Sequence, residues 1–172
     1  LPCSRPGPLG ESRIGDRSER GDPIAVTGII LAGGRSTRLG QDKALVQVGG
    51  RPMIARVAEA LRQVTAEVLV VGGAQAELED ALGGAARYVP DLDQGGGPLV
   101  GILSGLSAST SECGLVVGCD MPFLDPVVLR ALIALLGDHD AVAPVVGGVV
   151  QTTHAVYRRS LDASIRTALG TG

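Results

Sequence analysis

The chain has 172 residues, 45% of them hydrophobic, only three aromatics (Tyr88, Phe123, Tyr157) and a formal net charge of −3. That length suits one domain with a sizeable core and is short for two. The slight acidity, without a basic stripe interleaved with aromatics, excludes a general attraction to nucleic acid or an anionic membrane, so any anion binding must be local.

Residues 1–22 hold Pro2, Pro6, Pro8, Gly7 and Gly10 among balanced Arg, Asp and Glu with little apolar periodicity, and read as a flexible leader. Residues 23–172 then form a single domain without internal repeat or linker. The first residue is Leu rather than Met, as in a processed form or a fragment. Ala25 to Ile30 is a buried strand that runs into a glycine-rich loop, Leu31 to Lys43. Ala44 to Val48 is a short apolar stretch ending at the Gly49-Gly50 turn. Pro52 suits the first turn of a helix whose apolar face is Met53, Ile54, Val57, Ala58 and Leu61. Glu67 to Gly72 is a strand buried on both faces. Gln75 to Leu82 is a short helix closed by Gly83, and Arg87 to Pro90 is a third strand. Strand, helix, strand, helix, strand predicts right-handed crossovers and a parallel sheet.

After the loop Asp91 to Gly97, Pro98 opens a helix with Leu99, Ile102, Leu103 and Leu106 on its apolar face. Leu115, Val116, Val117 and Cys119 make a fourth strand that ends at Asp120. Asp125 and Pro126 read as the cap and first residue of a helix carrying Leu129, Leu132, Ile133 and Leu136, with Gly137 as its stop. Asp140 to Val146 is a fifth strand, and Gly147-Gly148 turns the chain into a sixth, Val149 to Tyr157, antiparallel to its neighbour. Leu161, Ile165 and Leu169 mark a last helix before Gly170. The fold class is α/β: helices on both faces of a mostly parallel sheet with one late antiparallel strand. No apolar stretch approaches the ~20 residues that cross a bilayer, and Cys3, Cys113 and Cys119 fit neither a disulfide framework nor a zinc pattern. A reduced, soluble, cytoplasmic setting is therefore expected.

In open α/β sheets, ligands bind beyond the carboxyl ends of the strands. Three loops at such ends carry unusual chemistry. In the first, Gly33 and Gly34 let the backbone approach a bulky anion, and Arg35, Arg38 and Lys43 add positive charge. Lys43 is the only lysine in the chain, which marks its ammonium for a specific role. Asp120 is either a cap-like structural group or a metal ligand, since Mg²⁺ is typically held by one or two carboxylates together with substrate phosphates. Asp91 and Asp93 form a triplet that reads equally as a two-carboxylate metal site or as a solvated turn. Gly95, Gly96 and Gly97 could present backbone groups to a base or sugar, or serve as spacer. A Walker A loop is excluded, because five residues separate Gly34 from Gly40 and Ala44 follows Lys43; the dinucleotide fingerprint G-x-G-x-x-G is absent after the first strand. His139 reads as solvated and His154 as structural, and no Ser, Cys and His set supports covalent acyl chemistry.

The series Leu31-Ala-Gly-Gly-x-Ser-x-Arg38-x-Gly40-x-Asp42-Lys43, Gly50-Arg-Pro52, Gly97-Pro-Leu-x-Gly101 and Cys119-Asp120-Met-Pro122 resembles the molybdenum cofactor guanylyltransferases of the MobA-like nucleotidyltransferase superfamily. The resemblance covers roughly residues 27 to 169. It implies a Rossmann-like three-layer fold and transfer of GMP from Mg·GTP to the terminal phosphate of molybdopterin, releasing pyrophosphate. It further implies that Leu31, Ala32, Gly33, Gly34, Asp91 and Gly97 meet the nucleotide, Lys43 its phosphates and Asp120 the Mg²⁺. Arg38 fits the pyrophosphate leaving group, with a salt bridge to Asp42 as a competing role. Substrates would be GTP and molybdopterin, with transient contacts to other molybdenum cofactor biosynthesis or acceptor proteins. The sequence departs from the family at Val71-Gly72-Gly73, where a polar residue often stands, and at Gln151-Thr152-Thr153, where Gln-Pro-Leu is common. A later Asn-x-Asn-Thr-like segment near the pterin is also absent, which predicts a C-terminally truncated domain. Competing readings are a relative that uses CTP or acts on a sugar phosphate, and a nucleotide-binding protein without catalysis.

Overall fold

The computed structural model describes residues 25–33, 42–93 and 96–170. The chain enters on β1 (Val26–Leu31), every residue of which is buried. A one-turn 3₁₀ helix at Lys43–Leu45 leads to a small antiparallel ribbon, β2 (Gln47–Val48) and β3 (Arg51–Pro52), and then to α1 (Met53–Arg62). There follow β4 (Glu67–Val71), α2 (Gln75–Leu82), β5 (Arg87–Val89), α3 (Pro98–Ala108), β6 (Cys113–Gly118) and α4 (Pro126–Leu135). The last elements are β7 (Ala141–Val142), β8 (Val145–Val146), β9 (Val149–Val150), β10 (His154–Arg158) and α5 (Asp162–Leu169).

Six strands form the central sheet in the order β5-β4-β1-β6-β10-β7. The first four are mutually parallel, and β10 runs antiparallel to both β6 and β7. Because side chains alternate across a strand, β1 faces two cores. Val26 and Ile30 pack with Ile54 and Leu61 of α1, Leu78 of α2 and Leu129 of α4. Ile29 and Leu31 pack with Ile102, Leu103 and Leu106 of α3 and Ile165 of α5. The result is the expected three-layer α/β/α arrangement with a mainly parallel sheet. Among the described residues, no helix is long and apolar enough to cross a membrane.

Helix ends follow the local chemistry. Asp125 Oδ1 accepts a 2.8 Å bond from the Val127 amide, and Pro126 occupies the first helical position, where its missing N–H costs nothing. Gly83 and Gly170 close α2 and α5 in the left-handed conformation.

The late strands differ from expectation. Instead of two long strands, residues 140–157 form a two-residue edge strand β7, a separate ribbon β8–β9 and then β10. Pro144 has no N–H to continue β7, and Gly147 and Gly148, both at positive φ, suit a two-residue hairpin that peels away from the sheet. The Gln151 amide closes the ribbon on the Pro144 carbonyl at 2.9 Å, and the chain rejoins the sheet at His154. The fourth strand likewise ends at Gly118, one residue before Cys119.

Candidate functional site

The chain leaves β1, builds β4 and β5 on one side, then crosses to place β6 on the other. The carboxyl ends of β1 and β6 therefore flank the point where strand order reverses, the place where ligands bind in such sheets. Hydrogen bonding continues past the strand ends on both sides of β1. The Ala32 amide donates to the Val71 carbonyl at 2.9 Å, and the Cys119 amide to the Leu31 carbonyl at 3.1 Å. Leu31 and Ala32 are buried in this frame, and Gly33 is the first exposed residue beyond it.

Gly33 lies against the end of β4. A Cβ built on Gly72, whose φ is +72°, would stand 3.1 Å from the Gly33 Cα and 3.2 Å from its N. A side chain on Gly72 would crowd the Gly33 backbone, so the approach relies on Gly72 carrying none. Asp91, just beyond β5, completes the edge: its Oδ2 would meet Cβ atoms built on Gly33 and Gly72 at 3.1 and 3.4 Å. The site thus has a floor of bare backbone with one half-buried carboxylate at its rim. Gly97 caps α3 at φ 81°, with open space where a side chain would be.

On the opposite side, Asp42 Oδ1 accepts a 3.0 Å bond from the Ala44 amide and so caps the 3₁₀ turn. Ala44 is fully buried as its anchor, which leaves Lys43 exposed between a fixed cap and a fixed anchor. Asp120 is exposed two residues beyond β6 and folds back, so that a Cβ on Gly118 would stand 2.7 Å from its Oδ1. Between the two segments lies Cys119. Burial first, then the charges of Asp120 and Asp42, push its thiol up to about 12, while Lys43 pulls it down. Asp42, Lys43 and Asp120 therefore all lie within electrostatic range of one thiol. Cys119 itself is a half-buried thiol that its surroundings keep neutral.

Arg56 of α1 bridges the same two segments. Its Nε donates to the Pro122 carbonyl at 3.3 Å and its Nη1 to the Val48 carbonyl at 3.4 Å, with the guanidinium 5.8 Å above the Phe123 ring. Phe123 is 79% exposed.

Lys43, Asp120, Leu31, Ala32, Gly33, Asp91 and Gly97 thus all stand at the carboxyl edge of the sheet or in the loops that leave it. Gly34, Arg35, Arg38 and Gly95 lie outside the described residues. Asp93 turns toward its own loop, its Oδ2 lying 3.4 Å from a Cβ built on Gly96. His139 is exposed. His154 lies in β10 opposite Val117, and its Nε2 is buried without a hydrogen-bond partner among the described residues. Three contributors escaped the sequence reading: the Gly72 close approach, Arg56 and Ser104. Ser104 alone left a trace, as the one polar residue in the run Leu99 to Leu106.

No group of three or more His, Cys, Asp or Glu that could hold a metal occurs among the described residues. The exposed carboxylate of Asp120 does not by itself make an all-protein cage. It does fit a hard cation such as Mg²⁺, which keeps waters and takes substrate phosphate oxygens for the rest of its shell.

Comparison with known proteins points to one family. Residues 28–172 match the model of the MobA-like NTP transferase domain. A probable molybdenum cofactor guanylyltransferase of Pelotomaculum thermopropionicum is 43% identical over 146 residues, covering 85% of this chain and 70% of that protein. Among solved structures, molybdopterin-guanine dinucleotide biosynthesis protein A of Archaeoglobus fulgidus superposes with a TM-score of 0.68 at 26% identity, covering 85% of this chain and 74% of that one. Rv0371C of Mycobacterium tuberculosis H37Rv, solved in complex with manganese, shares the fold at a TM-score of 0.65 and 18% identity, over 83% of this chain and 75% of that one. By this extended similarity, over residues 28–172, the chain belongs to the MobA-like NTP transferase family of nucleotidyltransferases.

Proposed function

We propose that the protein transfers GMP from Mg·GTP to the terminal phosphate of molybdopterin and releases pyrophosphate, in a cytoplasmic setting. The observation that carries this reading is the match of residues 28–172 to the MobA-like NTP transferase domain, and the charges of Asp120 and Lys43, which both bear on the Cys119 thiol just beyond β6, support it. It rests also on the names of the relatives, which are guanylyltransferases of the molybdenum cofactor.

In the reaction, an oxygen of the acceptor phosphate forms a bond to the α-phosphorus of GTP while the bond from that phosphorus to the β-phosphate bridging oxygen breaks. The electron pair leaves with pyrophosphate, and no covalent enzyme intermediate is needed. Two anions must meet, so the protein's task is to hold them in line and offset their charge. Leu31, Ala32, Gly33 and Gly34 would supply backbone against the nucleotide, with Asp91 beside Gly33 and Gly97 in the loop that follows it. Lys43 would place its ammonium on the phosphates, and Arg38 would receive charge developing on the pyrophosphate. Asp120 would hold Mg²⁺, which neutralises phosphate charge when bound.

The test is a panel of GTP, CTP and ATP with Mg²⁺, reading binding and pyrophosphate release with and without molybdopterin. GTP binding and molybdopterin-dependent release are expected. Preference for CTP, or pyrophosphate release that molybdopterin does not stimulate, would overturn the assignment.

A further inference from the structure

Asp91 is held in place by a hydroxyl from the neighbouring helix. Ser104 of α3 is 3% exposed, and its Oγ lies 3.1 Å from Asp91 Oδ1, 3.0 Å from the Leu92 amide and 2.9 Å from the Val100 carbonyl. The Leu92 N–H must donate to Oγ. The hydroxyl then has one proton for two acceptors, and a carboxylate accepts the stronger bond. A serine inside a helix can satisfy itself on the carbonyl four residues earlier. That alternative accounts for Val100 but not for the two contacts to the loop after β5. With Oδ1 engaged, the other oxygen of Asp91 is the one aimed at the bare backbone of Gly33 and Gly72.

We infer that Ser104 is a positioning residue for nucleotide binding: it orients the Asp91 carboxylate so that Oδ2 faces the Gly33–Gly72 floor as a fixed hydrogen-bond acceptor for donor groups of the bound nucleotide. The inference rests on the nucleotide reading above. Without the hydroxyl, Asp91 regains side-chain freedom that binding must then remove, and the Leu92 amide loses its partner. The loss falls on affinity rather than on chemistry, because Asp91 follows β5 and Asp120 follows β6, with β4 and β1 between those strands.

The experiment is a double-mutant cycle on the full chain, with Mg·GTP affinity measured by calorimetry for wild type, Ser104→Ala, Asp91→Ala and the double variant. Thermal midpoints check that each variant is folded. Ser104→Ala should weaken GTP binding on the order of tenfold, with turnover at saturating GTP within about twofold of wild type. In the Asp91→Ala background the same substitution should change affinity by less than about twofold. An equal loss in both backgrounds would mean that Ser104 acts through packing alone, and unchanged affinity in Ser104→Ala would likewise sink the positioning role while leaving the nucleotide reading intact. A wild-type protein that binds no GTP would overturn that reading and this inference with it.

Discussion

Gly72 and Gly33 touch across the strand ends of β4 and β1, a Cβ on Gly72 coming within 3.1 Å of the Gly33 Cα. Gly72 also sits at φ +72°, which L side chains rarely adopt. Gly72→Ala therefore combines a backbone penalty with a steric one, together about 1–3 kcal/mol. The thermal midpoint should fall by several degrees, and nucleotide affinity should fall further than stability does, because relief requires Gly33 to move. Calorimetry and a melting curve on one sample separate the two effects. Wild-type values in both would mean that the close approach has no role in the site.

Lys43 and Asp120 are both exposed, so removing either leaves no buried hole. Lys43→Ala and Asp120→Ala should each lower the transfer rate by about 10²–10³-fold, the scale of losing one group that stabilises transition-state charge. Their midpoints should stay within a few degrees of wild type. Asp120→Ala should also raise the Mg²⁺ concentration needed for half-maximal rate, whereas Lys43→Ala should not. Steady-state pyrophosphate release across a Mg²⁺ series checks both.

Much of this arrangement was legible in the sequence because strand cores and helix faces leave periodic traces. The run Val68 to Val71 and the alternation of helix and strand sufficed for a parallel sheet, and Asp125-Pro126 marked its helix start to the residue. Lys43 stood out as the only lysine of the chain, at the end of the glycine-rich loop, and Asp120 as an acid at the end of an apolar run. What the sequence did not reveal are relationships between distant segments. Gly72 looked like a lost polar contact until its φ and its neighbour were known, and Arg56 looked like any solvent-facing residue of an amphipathic helix. The hairpin Val145–Val150 was hidden for another reason: its valines favour strand in any sheet, and only the partner strands decide which one.

Arg56 spans from the Val48 carbonyl to the Pro122 carbonyl, so it ties the ribbon that follows Lys43 to the loop that follows Asp120. Arg56→Ala should free both and lower the transfer rate about tenfold, on the scale of a bond or two of ~1 kcal/mol each. Arg56→Lys should recover only part of the rate, since an ammonium on a flexible stem cannot reproduce the planar fork. Guanidinium added to the alanine variant should restore activity at concentrations well below those that unfold the protein. A lysine variant with full activity would reduce Arg56 to a point charge.

Cys119 offers a chemical reporter of the same region. Its thiol is held near 12, above its ordinary value of 9.0, mainly by burial and next by Asp120. At pH 8 the native protein should therefore alkylate slowly at Cys119 and rapidly once unfolded. The folded state binds the proton more tightly than the unfolded one, so the associated stability is present below pH 9 and is lost as pH rises toward 12. Asp120→Ala removes one of the charges that raise the thiol, and native alkylation at pH 8 should become faster. Mass spectrometry of time-resolved labelling reads each of these rates at Cys119 individually.

His154 presents the opposite sign. Its Nε2 is buried without a partner among the described residues, and burial holds its pKa below the ordinary 6.5. The unfolded chain therefore binds a proton that the folded chain resists, so stability is intact above pH 6.5 and declines as pH falls through the lowered native value. His154 opens β10 opposite Val117, where an aliphatic side chain would leave no orphaned nitrogen. His154→Val should raise stability by about 1 kcal/mol at neutral pH, the lower end of the cost of an unsatisfied buried polar group. Its advantage should widen toward pH 5, because the variant has no proton to refuse. Urea unfolding of the two proteins at pH 5, 6 and 7.5 tests both points. A variant that is less stable at every pH would show that the Nε2 has a partner, such as an ordered water, whose loss outweighs the gain.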